Sequence, residues 1–153
     1  MLRDVKLFRY DLFALWTMRD ALEHPLSDSG PAQKNVKSQR ELSLCSIPAA
    51  VRLIEVSGEL MYAWDDEFEH SPTKAPGGGG PLWSGKHGFC KERWQLWHER
   101  FDELSRNDGI ERKDRDGTRE VADVMSAIEK GVRWSEQSRG LASKPVLFAL
   151  PMR

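Results

Sequence analysis

The sequence predicts an all-α fold: a single-domain bundle of about four helices, with a long Gly/Pro-rich loop between the second and third. Three observations carry this reading. Four segments show apolar residues recurring at helical spacing, none shows the alternation of a half-buried strand, and 153 residues suffice for one domain and hardly for two. The helical domain is placed at residues 1–132. The tail, 133–153, is expected to be loosely docked or disordered, although its apolar run at 146–150 could dock as one extended piece.

The first helix is expected over residues 4–23. Phe8, Leu12, Leu15 and Leu22 share a stripe that Leu7, Phe13, Trp16 and Met18 widen, which suits contact with more than one neighbour. Pro25 stops it, because the residue before a proline is pushed out of helical space. Residues 25–38 then read as a connecting loop.

The second helix is expected from about Ser46, with Pro48 in its first turn and residues 41–45 as a kinked backward extension. Ile47, Val51, Ile54 and Met61 form one apolar line with Gly58 in it, and Leu53, Val56, Leu60 and Trp64 form another. Two such lines predict a central helix covered on both sides. Residues 70–88 form a long irregular stretch containing Pro72, Pro76, four consecutive glycines from Gly77 to Gly80, and Pro81. Loops of this length inside compact domains are uncommon and tend to be functional or mobile.

The third helix, residues 89–106, has the clearest pattern: Cys90, Trp94, Trp97, Phe101 and Leu104 recur at steps of four and three. Asn107-Asp108-Gly109 is a turn signal that closes it. The fourth is expected to start at Asp116 or Thr118, both good N-caps. Val121, Val124, Met125, Ile128 and Val132 make its apolar face, and Gly131 is its stop.

Composition narrows the function classes. Lys+Arg number 23 against 24 Asp+Glu, a net charge of -1, which argues against the clustered basic surface that nucleic-acid binding needs. No apolar run approaches the roughly 20 residues of a membrane span. Charged residues interrupt the first nine positions where a signal peptide would be apolar. Cys45 and Cys90 are too few for a disulfide scaffold, so the thiols are expected reduced and the protein intracellular, cytoplasmic or nuclear.

Several motifs come close to known chemistry and fall short. Residues 80–87 nearly spell a phosphate-binding loop, but His87 replaces the hydroxyl residue and Pro81 removes a backbone donor. No apolar strand precedes them. Asp114-Arg115-Asp116-Gly117 matches the centre of a calcium loop, yet Arg112 would occupy the first ligand position. His87 and Cys90 have ligand spacing without a second paired motif. No catalytic residue, metal or cofactor is assigned. His98 lies beside the tryptophan stripe and is expected exposed.

The second helix carries Arg52, Glu55 and Glu59 on an otherwise apolar rod, the two glutamates one turn apart. If that face is buried, the charges need partners or shifted pKa values, a condition that marks functional sites. Asp65, Asp66, Glu67 and Glu69 follow, with Lys91, Arg93 and Arg100 of the third helix as candidate counter-ions.

The stretch Gly79-Gly80-Pro81-Leu82-Trp83-Ser84-Gly85-Lys86-His87-Gly88-Phe89-Cys90-Lys91-Glu92-Arg93-Trp94, with Gln95-Leu96-Trp97 and Arg100-Phe101, resembles a fungal family known as domain of unknown function 3632. The segments 15–23 and 47–64 are similar to it too, and the resemblance runs from about Leu12 to Val132. It implies a mostly helical protein with no assigned activity.

Two functions follow as expectations. The first is an interaction or scaffold module without catalytic activity, whose partner is another protein or a second copy of itself. The alternative is a small-molecule binder or enzyme with a site between the second and third helices, roofed by the glycine-rich loop. Its first residues would be Glu55, Glu59, Arg93 and Trp94.

Overall fold

The computed structural model describes residues 10–26 and 38–131, and the expectations for the chain start, the connection at 27–37 and the tail lie outside them. Four helices account for most of what is described: α1 (Tyr10–Leu22), α2 (Gln39–Ala63), α3 (Lys91–Ser105) and α4 (Arg112–Glu129). No strand occurs among the described residues, which makes the fold an all-α bundle. The helices form a ring in which α1 packs on α2, α2 on α4, and α4 on α3, with a lighter seam from α3 back to α1.

Apolar stripes from all four helices meet inside this ring. Leu15, Met18 and Leu22 come from α1, Ile47, Ile54 and Met61 from α2, Trp97, Phe101 and Leu104 from α3, and Val121, Met125 and Ile128 from α4. Gly58 lets α2 and α4 approach closely, since a Cβ there would lie 2.8 Å from Ile128 Cδ1. Phe89, just before α3, is the centre of an aromatic group. Its ring meets Trp64 edge-on at 4.9 Å and Trp97 at 6.2 Å.

Three helix boundaries differ from the expected ones. α2 begins at Gln39, so the backward extension over 41–45 is helical and two residues longer, because the Ser38 side chain accepts a hydrogen bond from Glu41 N and caps it. The helix then runs through Pro48, which lies on its exposed side. α4 begins at Arg112, one turn and more before Asp116. Buried Ile110 fixes its approach, and Thr118 faces inward with its hydroxyl donating to Arg115 O at 2.8 Å. Cys90 stands before α3 as its N-cap residue and is half-buried, so the buried stripe at that end belongs to Phe89. The expected stop of α4 is found: Gly131 adopts φ 77° and donates to Ile128 O at 3.0 Å.

The second apolar line of α2 is not covered along its length. Leu53 and Trp64 are buried, whereas Val56 is 63% exposed, Leu60 38% and Leu42 44%. α1 flanks α2 at Ser57, where Tyr10 is hydrogen-bonded, and α4 flanks it at Gly58; the face between them on the outer side has no helix over it among the described residues.

Candidate functional site

The loop between α2 and α3 is fastened to the end of α1 by one buried ion pair. Glu23 follows the last residue of α1, and Arg93 lies in the first turn of α3; both side chains are fully buried. Arg93 Nε donates to Glu23 Oε1 at 2.7 Å and Nη2 to Oε2 at 3.0 Å, a bidentate pair. The remaining guanidinium donors reach loop carbonyls: Nη1 to Gly77 O at 2.8 Å and Gly88 O at 3.0 Å, Nη2 to Gly78 O at 3.3 Å. Glu23 also accepts from Trp97 Nε1 at 2.8 Å and from Gly80 N at 2.9 Å. Five guanidinium N–H groups and four carboxylate lone-pair sites are thereby filled.

That saturation decides what the glycine-rich loop does. Gly80 N is spent on the Glu23 carboxylate and Leu82 N on Glu23 O, 3.0 Å away. The carboxylate and the backbone carbonyl of Glu23 therefore hold two of the donors that a phosphate would need. Gly77 and Gly88 permit the close approach: a Cβ would lie 2.3 Å from His87 O at Gly77 and 2.0 Å from Asp66 O at Gly88. Trp16 Nε1 adds a further tie from α1 to Pro76 O at 2.8 Å. The node is a structural clamp.

A second polar group spans α3 and α4. His98 Nδ1 lies 2.6 Å from Glu129 Oε2, Ser126 Oγ is 3.2 Å from His98 Nε2, and Trp94 Nε1 donates to Glu129 Oε2 at 3.1 Å. His98 is thus half-buried and partnered, contrary to its expected exposure. The order serine, histidine, carboxylate is that of a hydrolytic triad. A nucleophilic serine also needs N–H donors aimed at the developing oxyanion. Ser126 sits inside α4, where the neighbouring N–H groups belong to the helix ladder. The group joins two helices, and among the described residues no backbone N–H group is aimed at Ser126 Oγ for acyl transfer.

The four residues expected to line a ligand site fall into separate places. Arg93 is in the clamp and Trp94 is buried against Tyr62, ring centroids 4.9 Å apart. Glu55 and Glu59 are exposed on α2, along a shallow groove shared with Val56, Gly58, Leu60 and Ile128 that includes neither Arg93 nor Trp94. The loop is tied to the end of α1 and the first turn of α3 through Glu23, Trp16 and Arg93. Sequence reasoning missed Glu23, the acceptor at the centre of the clamp.

The candidate counter-ions have other partners. Lys91 Nζ stands 3.6 Å over the Tyr62 ring, and Arg100 donates to Leu22 O and His24 O at the end of α1. α2 ends at Ala63, so the carboxylates that follow do not oppose its dipole from within. His87 stacks on His70 at 4.0 Å, and Asp116 pairs with Arg119. Among the described residues no group of three His, Cys, Asp or Glu side chains could hold a metal ion, and no helix is long and apolar enough to cross a membrane.

The segments that the clamp ties together, the end of α1 and the glycine-rich approach to α3, are among those that carry the family resemblance. The sequence profile described as "Protein of unknown function (DUF3632)" matches residues 2–101. The chain belongs to this family. The DUF3632 match ends within α3, short of the extent to Val132 read from the sequence, and begins earlier than Leu12. No curated protein and no solved structure matches the chain.

Proposed function

We propose that this DUF3632 protein is an interaction module whose working surface is the outer face of α2. The observation that carries this reading is the exposure of apolar side chains on that face: Leu42, Val56 and Leu60, with Val56 at 63%. Its polar clusters serve the fold, since the Glu23–Arg93 clamp and the His98–Glu129 pair already partner one another. Scattered surface apolar residues need no explanation, but Leu42, Val56 and Leu60 share one face of one helix, and apolar residues gathered on one face mark a contact surface.

The test compares the wild-type chain with a Val56→Lys/Leu60→Lys double variant. Val56 is 63% exposed, so its substitution is expected to stay within about 0.5 kcal/mol, whereas Leu60 at 38% gives up some packing, and circular dichroism checks that the variant is folded. Each tagged chain is recovered from the cells that make it. The expected result is a set of proteins, untagged copies of the same chain included, retained by the wild type and lost by the variant; identical sets would refute the reading.

A further inference from the structure

The exposed face of α2 carries a seven-residue repeat. Leu42, Ala49, Val56 and Ala63 stand seven apart, all four are exposed, and they line one seam along a helix of 25 residues. Such a repeat places one side chain per two turns at the same contact position of a helix pair. Leu60, 38% exposed, widens the seam, and Leu53 beside it is already buried in the core. On the α4 side it is bordered by Arg52 and Glu59, again seven apart, with Glu55 between them. Arg52 has a 74% exposed side chain whose ion pair with Glu55 is 4.0 Å long.

The geometry points to a second copy of this chain as the occupant, with the two α2 helices packed antiparallel about a two-fold axis near residues 54 and 55. This deepens the interaction-module reading and rests on it. Charge selects the arrangement. An antiparallel pair lays the charged border of one helix along the charged border of the other, and the register that stacks Ala49 on Leu60 about the two-fold sets Arg52 across from Glu59 of the second copy, twice by symmetry. A parallel pair would lay the charged border against the apolar one. The alanines at 49 and 63 allow close approach of the two backbones.

The size of the seam sets the strength. A helix of 25 residues is about 38 Å long, and a contact strip about 10 Å wide offers about 400 Å² per copy, half of the roughly 800 Å² per partner of a standard interface. The association is weak, with dissociation in the micromolar range.

Sedimentation equilibrium on the full chain from about 5 to 500 µM tests this, using Val56→Lys, Arg52→Glu, Glu59→Arg and the Arg52→Glu/Glu59→Arg pair. The wild type shifts from monomer to dimer across the range. Each single variant weakens the dimer at least about ten-fold, and the reversed pair recovers to within about three-fold of wild type. A strict monomer overturns the inference, as does a dimer indifferent to these changes or one that the reversed pair fails to restore. Each of those results leaves the interaction-module reading to its own capture comparison, which involves other proteins.

Discussion

Replacing Glu23 by Gln tests the clamp with almost no change of shape. The carboxylate accepts from two donors at each oxygen: Arg93 Nε and Trp97 Nε1 at Oε1, Arg93 Nη2 and Gly80 N at Oε2. A glutamine amide has one oxygen and one NH2, so either orientation turns an NH2 toward two donors and leaves both unpaired. The substitution also strips the buried Arg93 guanidinium of its counter-charge. Breaking a buried pair from one side costs about 3–5 kcal/mol, a large share of the roughly 5–15 kcal/mol that holds a domain folded. For a chain of this length that is a fall of roughly 6–20 °C in the melting temperature. Urea unfolding followed by circular dichroism measures it. Arg93→Lys should lose a comparable amount, because three ammonium donors cannot replace five in a fork, and the double variant should lose less than the sum. A Glu23→Gln protein within about 1 kcal/mol of wild type would refute the reasoning.

Three further outcomes follow from the same structure. Gly88→Ala forces a methyl to within 2.0 Å of Asp66 O and should cost about 1–3 kcal/mol, while Gly117→Ala, with only Val51 near at 3.7 Å, should gain up to about 1 kcal/mol in α4; equal urea midpoints for the two would contradict the close-approach argument. Ser126 should stay unlabelled by a fluorophosphonate probe, because its helix supplies no oxyanion donors; mass-spectrometric detection of a Ser126 adduct would reopen the hydrolase reading. Burial holds His24 below its usual 6.5, overriding the opposite pull of Asp20. The unfolded chain therefore takes up that proton at higher pH than the folded one. The stability that neutral His24 supports is complete above 6.5 and is lost as pH falls through the lowered folded value. The stability of His24→Gln relative to wild type should accordingly rise on acidification below 6.5, and a difference independent of pH would count against it.

The helices were legible because their apolar spacing is set by the core they bury. The α3 stripe of Trp94, Trp97, Phe101 and Leu104 is buried as expected, and so is the α4 stripe from Val121 to Ile128. The start of α2 is written in the sequence as well, since Ser38 and Glu41 stand at capping-box spacing, but Pro48 further along carries a competing start signal. Glu23 was less accessible. It ends a helix as an acid among other charged residues, and its partner is 70 positions away, so no local pattern announces that the two are buried together. The α2 face misled for a related reason. Periodicity identifies apolar positions without saying how many neighbours are available to cover them, and Val56 looks the same in sequence whether the helix has two flanking partners or three.

A dilution series followed by methyl NMR tests most directly whether the uncovered face of α2 is a surface for self-recognition. Signals of Leu42, Val56 and Leu60 should move progressively as concentration rises from about 5 to 500 µM, while those of buried Leu22 and Ile54 stay in place. Unmoving α2 methyls, or movement confined to another face, would contradict the account.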